Sequence, residues 1–120
     1  MVVCLGEPHT VYELGESGPY LTDLLQALLP DQLTGALGLA YEPLWAIGTG
    51  KTPTLKEIDR TVTLLQSALS QKVPQGFVVY GGSVSPKNAQ EILALESLDG
   101  VLIGKAGQDP NFIAQLAGTP

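Results

Sequence analysis

The sequence predicts an α/β fold of four consecutive strand-then-helix units sharing one parallel sheet. Three observations carry that expectation. Short apolar runs recur along the chain at Val2–Leu5, 37–41, Phe77–Tyr80 and 101–103. They are apolar throughout rather than alternating, which is the pattern of strands covered on both faces. Between them lie segments with helical spacing and recognisable helix openers. Strands alternating with amphipathic helices argue for a parallel sheet with right-handed crossovers. The repeat is of βα units at irregular spacing, not a solenoid period.

Each element has its own reason. Val2–Leu5 is a strand ended by Gly6. A loop rich in Gly and Glu follows, and Pro19 then opens a helix over 20–29, proline being favoured where a helix starts. Residues 37–41 form the second strand. Thr54 and Glu57 make a capping box in which the hydroxyl caps the helix and the glutamate reaches back. Leu55, Ile58, Val62, Leu65 and Leu69 then fall on one helical face. Phe77–Tyr80 is the third strand, stopped by Gly81-Gly82. Ser85-Pro86 opens a helix to about Leu95 with Ala89, Ile92 and Leu93 on its apolar side. Residues 101–103 are the fourth strand, and Asp109-Pro110 starts a last short helix through Leu116.

Composition bounds the partners. A chain of 120 residues is expected to be a single domain over 1–120 and is long enough for a core. Only 15% of its residues are charged, against about 25% in ordinary soluble domains, and its mean hydropathy is +0.19. Such a chain is short of polar groups to cover itself, so part of its apolar surface expects a covering partner. No apolar run nears the roughly 20 residues that span a bilayer, and Met1 does not begin a secretory leader pattern. The lone Cys4 precludes an internal disulfide and agrees with a reducing, cytoplasmic setting. A net charge of -6 disfavours nucleic acid and anionic membranes as partners. It also repels anionic substrates at long range, so a phosphate site has to be made locally.

The richest segment is Ala40-Tyr41-Glu42-Pro43-Leu44-Trp45-Ala46-Ile47-Gly48-Thr49-Gly50-Lys51-Thr52. It sets one carboxylate at a strand end, then a rigid Pro-Leu-Trp hinge, then a glycine-rich tip. That is the layout of a general base coupled to a mobile lid. Leu44, Trp45 and Ile47 can pack over Glu42 when the lid shuts, and desolvation then raises the basicity of the carboxylate. Each of the last three strands is followed by glycine: Gly48-Thr49-Gly50, Gly82-Ser83 and Gly104-Lys105. Glycine lets backbone N–H groups approach a phosphate unobstructed. Any one of these pairs alone reads as a tight turn. Three on one sheet edge beside a strand-end glutamate read as an anion site.

Other chemistries fail. Gly50-Lys51-Thr52 resembles the end of a nucleotide-binding P-loop, but Trp45 stands where its first glycine belongs and Pro53 follows. Pro53 also occupies the third glycine position of a dinucleotide fingerprint. Cys4 and His9 lack partners at metal-ligand spacing. No serine sits in a nucleophile elbow.

The lid segment, Tyr80-Gly81-Gly82-Ser83-Val84 and Gly100-Val101-Leu102-Ile103-Gly104 together resemble, in order, three active-site loops of the triosephosphate isomerase family. The resemblance covers essentially the whole chain and corresponds to the C-terminal half of a (β/α)8 TIM barrel, strands five to eight, whose chemistry lies in the loops after the strands. It implies isomerisation between dihydroxyacetone phosphate and glyceraldehyde 3-phosphate, a step of glycolysis and gluconeogenesis, with no cofactor and no metal. In that family a glutamate moves the proton, a neutral histidine polarises the carbonyl and a lid closes. By resemblance Glu42 is the base, and Gly48, Ser83, Gly104 and Lys105 hold the substrate phosphate through backbone amides. Cys4 and Glu7 support the site.

Departures from the family set further expectations. Nothing matches its Asn-x-Lys strand or its electrophilic histidine, and His9 follows the wrong strand for that role. The chain is therefore expected to need a complementary N-terminal half for activity, or else to be a non-catalytic, phosphate-binding or self-associating half-barrel. Lys105 and Gly107 stand where the family often has Gly and Ser; the Lys105 side chain reads first as a solvated surface lysine, with a partial substitute for the missing lysine as the alternative. Pro53 has no N–H to give the tyrosine matching Tyr80 when the lid is closed.

Overall fold

The structure, a computed structural model, describes residues 1–31, 33, 35–47, 49 and 51–118. Its core is one parallel sheet of β1 (Val2–Leu5), β2 (Gly38–Tyr41), β3 (Phe77–Tyr80) and β4 (Gly100–Val101), ordered as in the sequence. The α/β class and the chain of βα units are those expected of half a TIM barrel. Between the strands run α1 (His9–Glu13) and α2 (Ser17–Leu28), then α3 (Leu55–Ser70), then α4 (Ala89–Leu93). The C-terminal helix is α5 (Pro110–Ala117). No helix among the described residues is long and apolar enough to cross a membrane.

Strand register decides what is buried. Leu5, Tyr41, Tyr80 and Val101 stand side by side, as do Val3, Leu39 and Val78. Successive side chains point to opposite faces, so these residues share the face that packs on the helices. They meet Leu21 and Leu25 of α2, Ile58, Val62, Leu65 and Leu69 of α3, Ile92 of α4 and Phe112 of α5. The α3 stripe is the one its sequence spacing predicts, with Leu55 only partly buried. The opposite face carries Val2, Cys4, Gly38, Ala40, Phe77, Val79 and Gly100. There Val2 and Cys4 are exposed, whereas the ring of Phe77 covers Gly38 so closely that an added Cβ would lie 2.2 Å from it.

The capping box at Thr54 forms as expected: its hydroxyl accepts from the Glu57 N–H at 3.1 Å, and the Glu57 carboxylate accepts from the Thr54 N–H at 3.0 Å. Asp109 likewise caps α5, accepting from the Asn111 N–H at 3.0 Å. Lys72, just beyond α3, donates to the Leu29 carbonyl at 3.0 Å and so closes the end of α2.

Several boundaries differ from the sequence reading. α1 occupies a stretch expected to be loop; it buries none of its residues, so it leaves no apolar period to read. α2 begins at Ser17, placing Pro19 inside its first turn, where a missing N–H costs nothing. α4 begins at Ala89, because 86–88 form a turn in which the Asn88 carboxamide oxygen accepts from the Ser85 N–H at 2.8 Å. β4 is Gly100–Val101, and a 3-10 turn over Lys105–Gln108 follows it.

Candidate active site

Glu42 is the first residue beyond β2. Its N–H donates to the Leu5 carbonyl at 2.9 Å, and the Tyr41 carbonyl accepts from the Gly81 N–H at 2.8 Å. The backbone that carries the carboxylate is thereby fixed to both neighbouring strands. Gly6 is required for this approach: an added Cβ would lie 1.7 Å from the Glu42 carbonyl oxygen.

Glu7 anchors the same corner from below. It is fully buried, and both of its carboxylate oxygens accept from the Tyr41 hydroxyl, at 3.0 and 3.2 Å. Burial, followed by the neighbouring Glu7 charge, pushes the Tyr41 phenol far above its ordinary range. Its proton therefore stays in the bond that ties the end of β1 to the end of β2. The Glu7 carbonyl also accepts from the Leu44 N–H at 3.1 Å, fixing the first residue after Pro43.

Leu44–Ala46 form one 3-10 turn, and Trp45 at its centre is buried. Its indole stacks on Tyr12 with ring centroids 3.8 Å apart and planes at 16°. Leu44 and Ile47 are 49% and 55% exposed, and Glu42 is half-buried.

Glu42, Ile47, Gly82, Ser83, Gly104 and Lys105 line one open cleft of about 340 Å³. The loops after β2, β3 and β4 thus converge beside the Glu42 carboxylate. Asn88 holds the second of these loops by donating to the Ser83 carbonyl at 3.0 Å. Burial first, and the Glu42 charge second, push the Tyr80 phenol up to about 12, so this neighbour of Glu42 is neutral at physiological pH. A more spacious cavity of about 820 Å³ lies among Glu7, Tyr12, Trp45 and Glu57. The smaller cleft is the candidate site, because there the loops after β2, β3 and β4 meet at the strands' C-terminal ends.

Of the residues singled out from the sequence, Glu42, Ser83, Gly104 and Lys105 share the cleft. Gly48 lies outside the described residues. Glu7 and Cys4 are not among the residues that line it: Glu7 is buried against the Tyr41 hydroxyl, and Cys4 is exposed on β1. Sequence reasoning missed Tyr12 and Asn88. Asn88 follows Ser85 by one turn, a spacing at which its carboxamide can reach back; nothing local marks Tyr12.

Comparison with known proteins points the same way. The family model described as triosephosphate isomerase matches residues 1–119. Triosephosphate isomerase of Prochlorococcus marinus is 38% identical over 116 residues, covering 97% of this chain and 47% of the relative. That of Thermus thermophilus is 40% identical over 124 residues, covering 96% and 50%. That of Nitratidesulfovibrio vulgaris is 41% identical over 124 residues, covering 97% and 49%. The chain spans about half the length of the curated relatives it matches.

Proposed function

Because the chain belongs to the triosephosphate isomerase family, we propose that it supplies the proton-transfer base, the lid and the phosphate grip of a triose phosphate isomerase in a cytoplasmic setting. In this reading it forms one partial-barrel domain, and a complementary N-terminal half supplies the lysine and the electrophile. The observation that carries it is the shared cleft, in which Glu42 faces the Ser83 and Gly104-Lys105 loops. Glu42 takes a proton from the carbon beside the substrate carbonyl and returns it to the neighbouring carbon. Backbone amides of Gly48, Ser83, Gly104 and Lys105 hold the phosphate, and Glu7, with Cys4, supports the site. Lid closure brings Leu44 and Ile47 over Glu42 and excludes water from the enediolate.

Mixing the chain with a polypeptide that carries the family's Asn-x-Lys strand and histidine tests this. Isomerisation of glyceraldehyde 3-phosphate is expected in the mixture, at a rate that Glu42→Gln lowers by about 10²- to 10⁴-fold. Equal rates with the parent and the mutant would contradict the assignment. Lys105→Met in the same mixture is expected to leave inhibition by inorganic phosphate unchanged, since it keeps the backbone N–H. Severalfold weaker inhibition would put the Lys105 ammonium at the phosphate.

One observation favours a second reading, a non-catalytic half-barrel that pairs with itself. β1 and β4 each have a single neighbour in the sheet, and Val2 and Leu102 beside them are 47% and 46% exposed. Unpaired strand edges recruit strands. Sedimentation separates the two: a stable homodimer that does not yield to the complementary half supports self-pairing, and exchange into a mixed complex supports the isomerase half.

A further inference from the structure

The segment between Glu42 and α3 is bounded by two fixed points. One is Trp45 in the turn Leu44–Ala46; the other is the capping box of Thr54 and Glu57 that opens α3. Tyr12, from α1, lies between them and is half-buried. Its ring is stacked nearly parallel on the Trp45 indole, with centroids 3.8 Å apart. Tyr12, Trp45 and Glu57 line one cavity behind the turn Leu44–Ala46.

The indole has no other polar hold. Trp45 Nε1 is buried and has no hydrogen-bond partner among the described residues, unlike the Tyr41 hydroxyl on Glu7. Packing and the stack alone set its orientation, and stacked aromatic pairs add attraction beyond the area they bury. Glu57 is held from the same side. Burial opposes its ionisation, but hydrogen bonds from the Thr54 N–H, the Tyr12 hydroxyl and the Thr54 side chain outweigh that and keep its carboxyl below the ordinary range. The hydrogen bond to Glu57 in turn leads the effects that raise the Tyr12 phenol, so its proton remains available to donate.

We propose that Tyr12 is a positioning residue for the lid: its ring sets Trp45 at one hinge while its hydroxyl holds Glu57 at the other, tying both ends of the lid to α1. This rests on the reading of residues 44–53 as a lid. The stack is a low-cost hold, one that substrate-driven closure can break while leaving the backbone bonds around Glu42 in place. The unpartnered Nε1 favours that release, since a rotated indole regains a hydrogen bond to protein or water.

Trp45 is the chain's one tryptophan, so its emission reports the contact without a label. The test compares Tyr12→Leu, Tyr12→Phe and Glu57→Gln in the full chain by acrylamide quenching of Trp45 and by amide hydrogen exchange of residues 44–57. Tyr12→Leu is expected to raise the quenching constant about twofold or more and to speed exchange across the lid, with far-UV circular dichroism unchanged. Tyr12→Phe is expected to restore the parent's quenching, because the ring is kept, while exchange at 54–57 remains faster. Glu57→Gln, which preserves the capping box, is expected to match that second effect. If Tyr12→Leu stays folded and quenches like the parent, the proposal is overturned. If Tyr12→Leu loses its fold, unchanged exchange in both Tyr12→Phe and Glu57→Gln overturns it. No readout uses substrate, so a failed isomerase assay refutes the function and leaves this result standing.

Discussion

At the scale of single residues, the geometry around Glu42 is set less by the glutamate than by what its neighbours lack. Gly6 lies so close to the Glu42 carbonyl that an alanine there would put its methyl 1.7 Å from the oxygen. Gly6→Ala is therefore expected to destabilise the chain by about 1–3 kcal/mol in denaturant titrations, as overpacking does, and to shift the backbone that carries Glu42. An unchanged midpoint would mean that β1 and β2 separate more easily than their bonds suggest. Tyr80 gives a second handle. Its phenol is pushed up to about 12 by burial and then by Glu42, whereas an unfolded tyrosine ionises near about 10. The folded state holds this proton more tightly, so stability is full below the lower value and declines as pH rises through the window between them. Tyr80→Phe should flatten that decline; an unaltered slope would place the alkaline loss elsewhere. That Glu42 shares a cleft with Gly82, Ser83, Gly104 and Lys105 was legible in the sequence because each lies in a local pattern at a strand end. Tyr12 was not, since its meaning lies in contacts with residues far along the chain.

Among the elements, α3 was the most legible and α1 the least, for one physical reason. α3 sets Ile58, Val62, Leu65 and Leu69 against the sheet and announces its start with a capping box. α1 buries nothing, so no periodicity marks it, although it carries the ring against Trp45. β4 runs Gly100–Val101 rather than 101–103; Leu102 still donates its N–H to the Tyr80 carbonyl at 2.8 Å, so an apolar run marks a strand without marking its ends. The α3 cap leads to a test at its own scale. Thr54→Ala should cost about 1 kcal/mol and speed exchange at 54–57 without altering β-sheet protection. The charge on Glu57 adds a pH dependence of the opposite sense to that of Tyr80. Its folded carboxyl is held low, so its contribution is complete above the unfolded value of about 4.3 and disappears as pH falls through the folded one. Glu57→Gln should remove that acid-side loss, read as stability against pH.

For the whole molecule, the sheet is open: β1 and β4 have one strand neighbour each, and the chain matches about half of each relative. The low charge and apolar surface seen in the composition find their physical place at these edges and on Val2, Cys4 and Leu102. What covers these edges is not legible in the sequence, because strand edges pair through backbone and leave little trace in side-chain pattern. If the complementary half docks there, hydrogen exchange at β1 and β4 should slow on mixing while β2 and β3 change little. Equal slowing across all four strands would point instead to global stabilisation.

The account's central claim is that Glu42 moves the substrate proton within the cleft it shares with the Ser83 and Lys105 loops. Deuterium uptake into dihydroxyacetone phosphate in D2O, followed by NMR in the mixture of the chain with its complementary half, tests that step apart from the rest of the reaction. The account predicts uptake at the carbon beside the carbonyl with the parent chain and its near-complete loss in Glu42→Gln. Uptake at the same rate with the mutant would contradict it, and another group would have to be the base.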